Sequence, residues 1–274
     1  MKVGAYFEVE PGIELYYEDH GEGPPLIFVP GWTFTTEVFV HQFAHFSKTH
    51  RVVSFDPRSQ GRSTLTFQGN DYETQSTDLC KLIDHLGLKD PILIGWSAAS
   101  LTVWGVVRLR GCTPLRGLVT IDMPPAPLTG RDEDWTEFDM AGAAKFYQAL
   151  MNSRGHRELV TWYAKDMMVQ RNLTDAELAW IVGQSTGTPA WVAAAYCASA
   201  WFSDYLPEAK EVDQKLPALI IVAESGADDA LPYIKKHLPN TQVQLFGGHF
   251  MFWEYPDQFN ETLESFFEGI TWRL

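Results

Sequence analysis

Ser97 lies in Gly95-Trp96-Ser97-Ala98-Ala99, directly after the apolar run Ile92-Leu93-Ile94 and ahead of a helical pattern. A serine hydroxyl acts as a nucleophile when it stands clear of the backbone beside a general base. A sharp strand-to-helix turn gives that clearance, provided the residues two before and two after the serine are small. Gly95 and Ala99 meet the condition. The base expected for it is His249, in Phe246-Gly247-Gly248-His249-Phe250 after the last apolar run. The flanking glycines allow a tight turn, and an imidazole can take a serine proton and return it to a leaving group. Acyl transfer also needs two backbone N–H groups aimed at the developing oxyanion. One belongs to the residue after the nucleophile, Ala98, and the other to the turn Pro30-Gly31-Trp32 after an earlier apolar run, which nominates Trp32.

A third group, a carboxylate, has to orient the histidine and stabilise its protonated form. Candidates follow two apolar runs: Asp122 in Thr120-Ile121-Asp122-Met123, and Glu224, Asp228 or Asp229 in Val222–Asp229. Asp228 and Asp229 could equally cap the helix that follows. His41 and His45 are four apart on a helical pattern, but no acid lies between them and no third ligand is evident, so no metal site is expected. No cofactor is implied either.

Such residues need a rigid frame. Six short apolar runs, at 26–30, 52–55, 92–95, 118–121, 219–222 and 243–246, read as strands buried on both faces of a parallel sheet. Helical patterns at 75–87, at 98–110 and after Pro256 alternate with them, as a doubly wound α/β sheet requires. Segments 6–9 and 13–18, joined at Pro11-Gly12, read as an antiparallel hairpin on the sheet edge. Nearly a hundred residues between 121 and 219 exceed what one crossover needs. Helical patterns at 141–151, 155–170, 174–183 and 189–200, rich in tryptophan, predict an inserted helical cap over the C-terminal edge of the sheet. The expected division is a core of 1–124 and 212–274 and a cap of 125–211.

Composition narrows the partners. With 21 basic and 35 acidic residues the net charge is −14, which disfavours nucleic acid and anionic membrane surfaces and leaves a small hydrophobic molecule as the expected partner. Cys80, Cys112 and Cys197 form neither a metal-ligand pattern nor a disulfide framework. The opening MKVGAYFEVEPG lacks the apolar stretch of a signal peptide, and a cytoplasmic protein is expected.

Taken together, the chain resembles the α/β-hydrolase superfamily over nearly its whole length. Asp56-Pro57-Arg58-Ser59-Gln60-Gly61-Arg62-Ser63 resembles that family's D-x-x-G-x-G-x-S loop, Gly95 to Ala99 its nucleophile turn, and Gly248-His249 its base loop. Pro30 stands where the family usually has histidine, and Ala99 where glycine is more frequent. The resemblance also bears on the acid. Most members carry it after strand seven, where the expected position here falls near Gly226. A subgroup that includes lactone hydrolases and cofactor-free quinolone dioxygenases carries it after strand six, which makes Asp122 the first choice.

Serine at position 97 implies ester or lactone hydrolysis rather than the epoxide or haloalkane chemistry of family members with an aspartate there. A peroxide-dependent perhydrolase or haloperoxidase side activity needs only the same acyl-serine. The alternative that the resemblance implies is cofactor-independent dioxygenation of an N-heteroaromatic substrate by the His–Asp pair. The extra histidines of those enzymes are replaced here by Phe34 and Ala98. Aromatic residues of the cap suggest an apolar acyl chain, an aromatic ester or a macrolactone, on a pocket floor of Phe34, Met123, Phe250 and Met251.

Overall fold

The computed structural model describes residues 4–128, 135–136 and 139–270. Eight strands form one sheet in the order β1-β2-β4-β3-β5-β6-β7-β8. Five of them are the continuous apolar runs: β3 (Pro25–Val29), β4 (Arg51–Phe55), β5 (Ile92–Trp96), β6 (Gly117–Ile121) and β7 (Ala218–Val222). They pair in parallel and are covered on both faces, which is why they do not alternate in polarity. The hairpin β1 (Ala5–Glu10) and β2 (Ile13–His20) joins them antiparallel through β2 and β4. The eighth strand, β8 (Gln242–Leu245), differs from the expectation of a strand buried on both faces. It pairs only with β7, and its first three residues are exposed, so Gln242 and Gln244 belong to a solvated edge.

Alternate side chains of the central strands feed two apolar layers. Ile27, Val29, Val53 and Leu93 pack toward α2 (Tyr72–His85) and α3 (Ala99–Arg110). Leu26, Phe28, Val52 and Ile94 pack on the other face toward α1 (Val40–Phe46), with Phe259, Leu263 and Phe266 of the last helix, Pro256–Glu268. The loop after β4 is locked in place by its own acid. Asp56 is fully buried and accepts from the backbone N–H groups of Thr36 (2.8 Å) and Arg62 (2.9 Å). Burial pushes its carboxyl above the usual range, and those two donors offset only part of that rise.

Between β6 and β7 the chain forms α4 (Met140–Ala149), α5 (Ser153–Tyr163), α6 (Asp175–Thr186) and α7 (Ala190–Trp201). Their apolar cluster takes in Trp32 from the loop after β3. Trp32 Nε1 donates to the Ala193 carbonyl at 2.8 Å, and Thr35 Oγ1 donates to Gln184 Oε1. These helices therefore sit over the strand ends. The helix expected over 155–170 is not continuous: α5 stops at Tyr163 and a π turn runs from Ala164 to Met168. The reason is visible in its last carbonyl, since Met168 accepts from the Phe250 N–H at 2.7 Å instead of continuing a helix. Helix α8 (Leu206–Lys215) runs across the expected boundary at 211/212. It packs on α3 and leads into β7. Helix α9 (Ala227–His237) links β7 to β8, and the short α10 (Met251–Glu254) precedes α11, the last helix named above. Among the described residues, no helix is long and apolar enough to cross a membrane.

Candidate active site

Ser97 is the first residue after β5, and its backbone is in the left-handed region at φ 53°. For a residue with a Cβ this conformation costs of order 1–2 kcal/mol. The turn is held from both sides: Ser97 N–H donates to the Ile121 carbonyl (2.7 Å), and the Ser97 carbonyl accepts from Ser100 N–H (2.8 Å). A Cβ at Gly95 would lie 2.7 Å from the Ala99 carbonyl oxygen, so only glycine fits there. Ala99 itself is fully buried, and its methyl is accommodated. Gly31 presses the neighbouring loop onto the turn; a Cβ on it would come within 3.2 Å of the Ser97 Cβ.

His249 is brought to Ser97 by the glycines before it. Gly247 is at φ 69°, and a Cβ at Gly248 would lie 2.8 Å from the Met168 carbonyl oxygen. The imidazole is buried, its Nε2 2.9 Å from Ser97 Oγ and its Nδ1 2.6 Å from Asp122 Oδ2. The other Asp122 oxygen accepts from the Ala223 N–H at 2.9 Å. An ionised carboxylate only accepts, so Nδ1 carries the proton and Nε2 offers a lone pair to the serine hydroxyl. Trp96 Nε1 donates to the His249 carbonyl at 2.8 Å and fixes the base loop from behind.

Asp122 repeats the device used for Ser97. It follows β6 directly, sits at φ 54°, and its N–H donates to the carbonyl of Ile221 on the next strand at 2.7 Å. The other carboxylates lie elsewhere. Asp228 and Asp229 are exposed in the first turn of α9, and Glu224 is exposed and accepts from Gln170 Nε2 at 2.6 Å. His45, one of the two helical histidines, meets Glu264 at 2.7 Å.

Trp32, Ala98 and Ser97 share the wall of one small cavity of about 70 Å3. Among the described residues, the backbone N–H groups of Trp32 and Ala98 have no acceptor. Of the four residues nominated for the pocket floor, Phe34 and Met123 line this cavity, and Phe250 and Met251 are not among its lining residues. After His249 the chain turns down into α10, and Phe250 stacks under the Trp96 ring at 4.9 Å. Trp96 thus stands between Phe250 and the cavity, while Met251 is buried in the layer beneath the sheet. The rest of the wall comes from the inserted segment: Phe146, Tyr163, Cys197, Ala200 and Trp201. Helical spacing gives each helix an apolar face without saying which residue of that face looks at Ser97, so these five are not legible in the sequence. Tyr163 meets the His249 ring edge-on at 5.5 Å.

Comparison with known proteins agrees with this fold. The chain is 28% identical over 131 residues to the bifunctional esterase/perhydrolase DCH of Acinetobacter calcoaceticus, an alignment covering 47% of each chain. Its fold is similar to that of a bromoperoxidase from Bacillus anthracis, with a TM-score of 0.88 at 22% identity, covering 97% of this chain and 100% of that one. It is also similar to the enol-lactonase from Burkholderia xenovorans LB400, with a TM-score of 0.77 at 22% identity, covering 96% and 100% of the two chains. The family model described as "Alpha/beta hydrolase family" matches residues 26–262, and the chain belongs to that family.

Proposed function

We propose that this protein is a serine hydrolase that cleaves an ester or lactone of a small apolar or aromatic molecule through an acyl-serine intermediate. The observation that carries the reading is the continuous chain Ser97 Oγ, His249 Nε2, His249 Nδ1 and Asp122 Oδ2, with contacts of 2.9 and 2.6 Å. Ser97 Oγ attacks the carbonyl carbon as His249 Nε2 takes its proton, and the N–H groups of Trp32 and Ala98 stabilise the oxyanion. His249 then protonates the leaving alkoxide. In the second half it removes a proton from water, which displaces the acyl group from Ser97. Asp122 holds the tautomer and stabilises the imidazolium throughout.

The test is labelling of Ser97 by a small fluorophosphonate, located by peptide mass, together with turnover of p-nitrophenyl acetate. Ser97→Ala should lose both. Attack on the same acyl-serine by hydrogen peroxide instead of water would give a peracid, and the relatives named bromoperoxidase and esterase/perhydrolase support this as a side reaction. Cofactor-independent oxygenation by the His249–Asp122 pair would leave Ser97 idle. Its hydrogen bond to His249 favours hydrolysis. Oxygen uptake on an aromatic hydroxy-ketone that persists in Ser97→Ala would reverse that order.

A further inference from the structure

The cavity at Ser97 borders two larger apolar grooves, one on each of two faces of α4. One groove, of about 470 Å3, follows Met140, Ala143 and Tyr147 and ends on Trp201 and Phe202. The other, of about 460 Å3, follows Gly142, Lys145, Phe146 and Ala149 and faces Leu159 and Trp162 of α5, so that its lining is apolar apart from the exposed Lys145. Spacings of three and four residues put each set on its own side of the helix. Trp201 and Phe146 are shared with the inner cavity and form the partitions.

The two partitions are not equally fixed. Trp201 is buried within the helical cluster, whereas Phe146 is only half-buried. Phe146 meets Trp201 edge-on and Trp32 at a tilt, with ring centroids 5.5 Å apart in both cases. Trp32 is itself pinned to the Ala193 carbonyl. The Phe146 ring is therefore the part of the wall that rotation or truncation opens.

We propose that Phe146 sets the acyl-chain length this protein accepts, by closing the inner cavity against the groove between α4 and α5. The proposal rests on the acyl-serine reading above. The inner space of about 70 Å3 is roughly half of the ~150 Å3 that admits benzene in an apolar protein cavity. It fits an acyl group of about two to four carbons. A longer chain has to pass Phe146, beyond which an apolar trough of Ala149, Leu159 and Trp162 continues. Removing the ring joins the two spaces, and each methylene that then leaves water raises kcat/KM by up to about fourfold.

The experiment measures kcat/KM for p-nitrophenyl acetate, butyrate and octanoate, with fluorophosphonate labelling of Ser97 run alongside. In the natural protein octanoate should be at least tenfold poorer than butyrate. Phe146→Ala should raise the octanoate-to-acetate ratio at least tenfold, and adding Leu159→Trp, which refills the trough, should return it. If Phe146→Ala is poorly folded, Phe146→Leu should shift the preference toward hexanoate. An unchanged chain-length profile in a folded, Ser97-labelled variant overturns the proposal and leaves the acyl-serine reading standing. Equal turnover of octanoate and acetate by the natural protein overturns it as well. Absence of labelling and of all ester turnover overturns the acyl-serine reading, and this proposal with it.

Discussion

Asp122→Asn tests the site most sharply, because the structure fixes how the amide must sit. One carboxylate oxygen accepts from the Ala223 N–H at 2.9 Å. An asparagine keeps that bond only by placing its carbonyl there, which turns its NH2 toward His249 Nδ1. Asparagine also tolerates the left-handed backbone that position 122 adopts at φ 54°. Folding should therefore change by no more than about 1 kcal/mol. The catalytic consequence is larger. With an amide donor at Nδ1, the imidazole keeps its proton on Nε2 and points an N–H at Ser97 Oγ instead of a lone pair. A wrong tautomer with intact geometry costs about 10^4 in kcat in the serine-protease precedent, equivalent to ~5.5 kcal/mol of transition-state stabilisation. The expected result is thus a kcat loss of about four orders of magnitude on p-nitrophenyl acetate, with KM and the melting temperature nearly unchanged. A loss under tenfold, or a comparable loss in Asp228→Asn or Glu224→Gln, would refute the assignment of the acid.

Further outcomes follow from the same geometry. Ser97→Ala and Ser97→Gly should both lose at least about 10^4 in turnover, but glycine relieves the strain at φ 53° that alanine retains. By thermal melting, the glycine variant should be the more stable of the two by ~1 kcal/mol, or roughly 2–4 °C. Gly248→Ala would set a Cβ 2.8 Å from the Met168 carbonyl oxygen, and should cost ~1–3 kcal/mol in urea unfolding and at least tenfold in kcat/KM. Burial pushes the thiols of Cys80 and Cys112 up to about 11, so at pH 8 only about one in a thousand is thiolate. Both should resist iodoacetamide in the folded protein and react fully in urea, as peptide mass would record.

The sheet and the loops that carry Ser97 and His249 are legible in the sequence because each is dictated locally. Ile92-Leu93-Ile94 reads as a strand covered on both faces, Gly95 and Gly248 mark places where a Cβ would meet a backbone carbonyl, and Gly247 takes the left-handed turn at φ 69°. Where the deciding partner is distant in sequence, the reading stopped. Met167 and Met168 continue a helical pattern, yet the base loop draws the Met168 carbonyl out of it. Phe250 and Met251 follow His249 in sequence but do not line the cavity: Phe250 stacks on Trp96, and Met251 is buried in the core. Gln242 and Gln244 showed that β8 is a solvated edge only once its single neighbour was known. Phe146 and Tyr163 belong to the site through the docking of whole helices, which no local pattern records.

The position of the acid follows from strand order as much as from the residue itself. β5, β6 and β7 are consecutive in the sheet, and the residues that follow β5 and β6 each donate to a carbonyl of the next strand: Ser97 N–H to Ile121, and Asp122 N–H to Ile221. The left-handed turns at 97 and 122 are thus anchored one strand apart, and the two side chains emerge side by side at the same sheet edge. An imidazole descending from the loop after β8 meets both. The end of β7 then has a different task, since Ala223 supplies an N–H to Asp122 instead of a carboxylate to His249. That division explains why Glu224, Asp228 and Asp229 are free to face solvent. It also makes the acid's placement depend on the register of β6 against β7. A one-residue slip there would unseat Asp122 even with Ser97, Asp122 and His249 all retained.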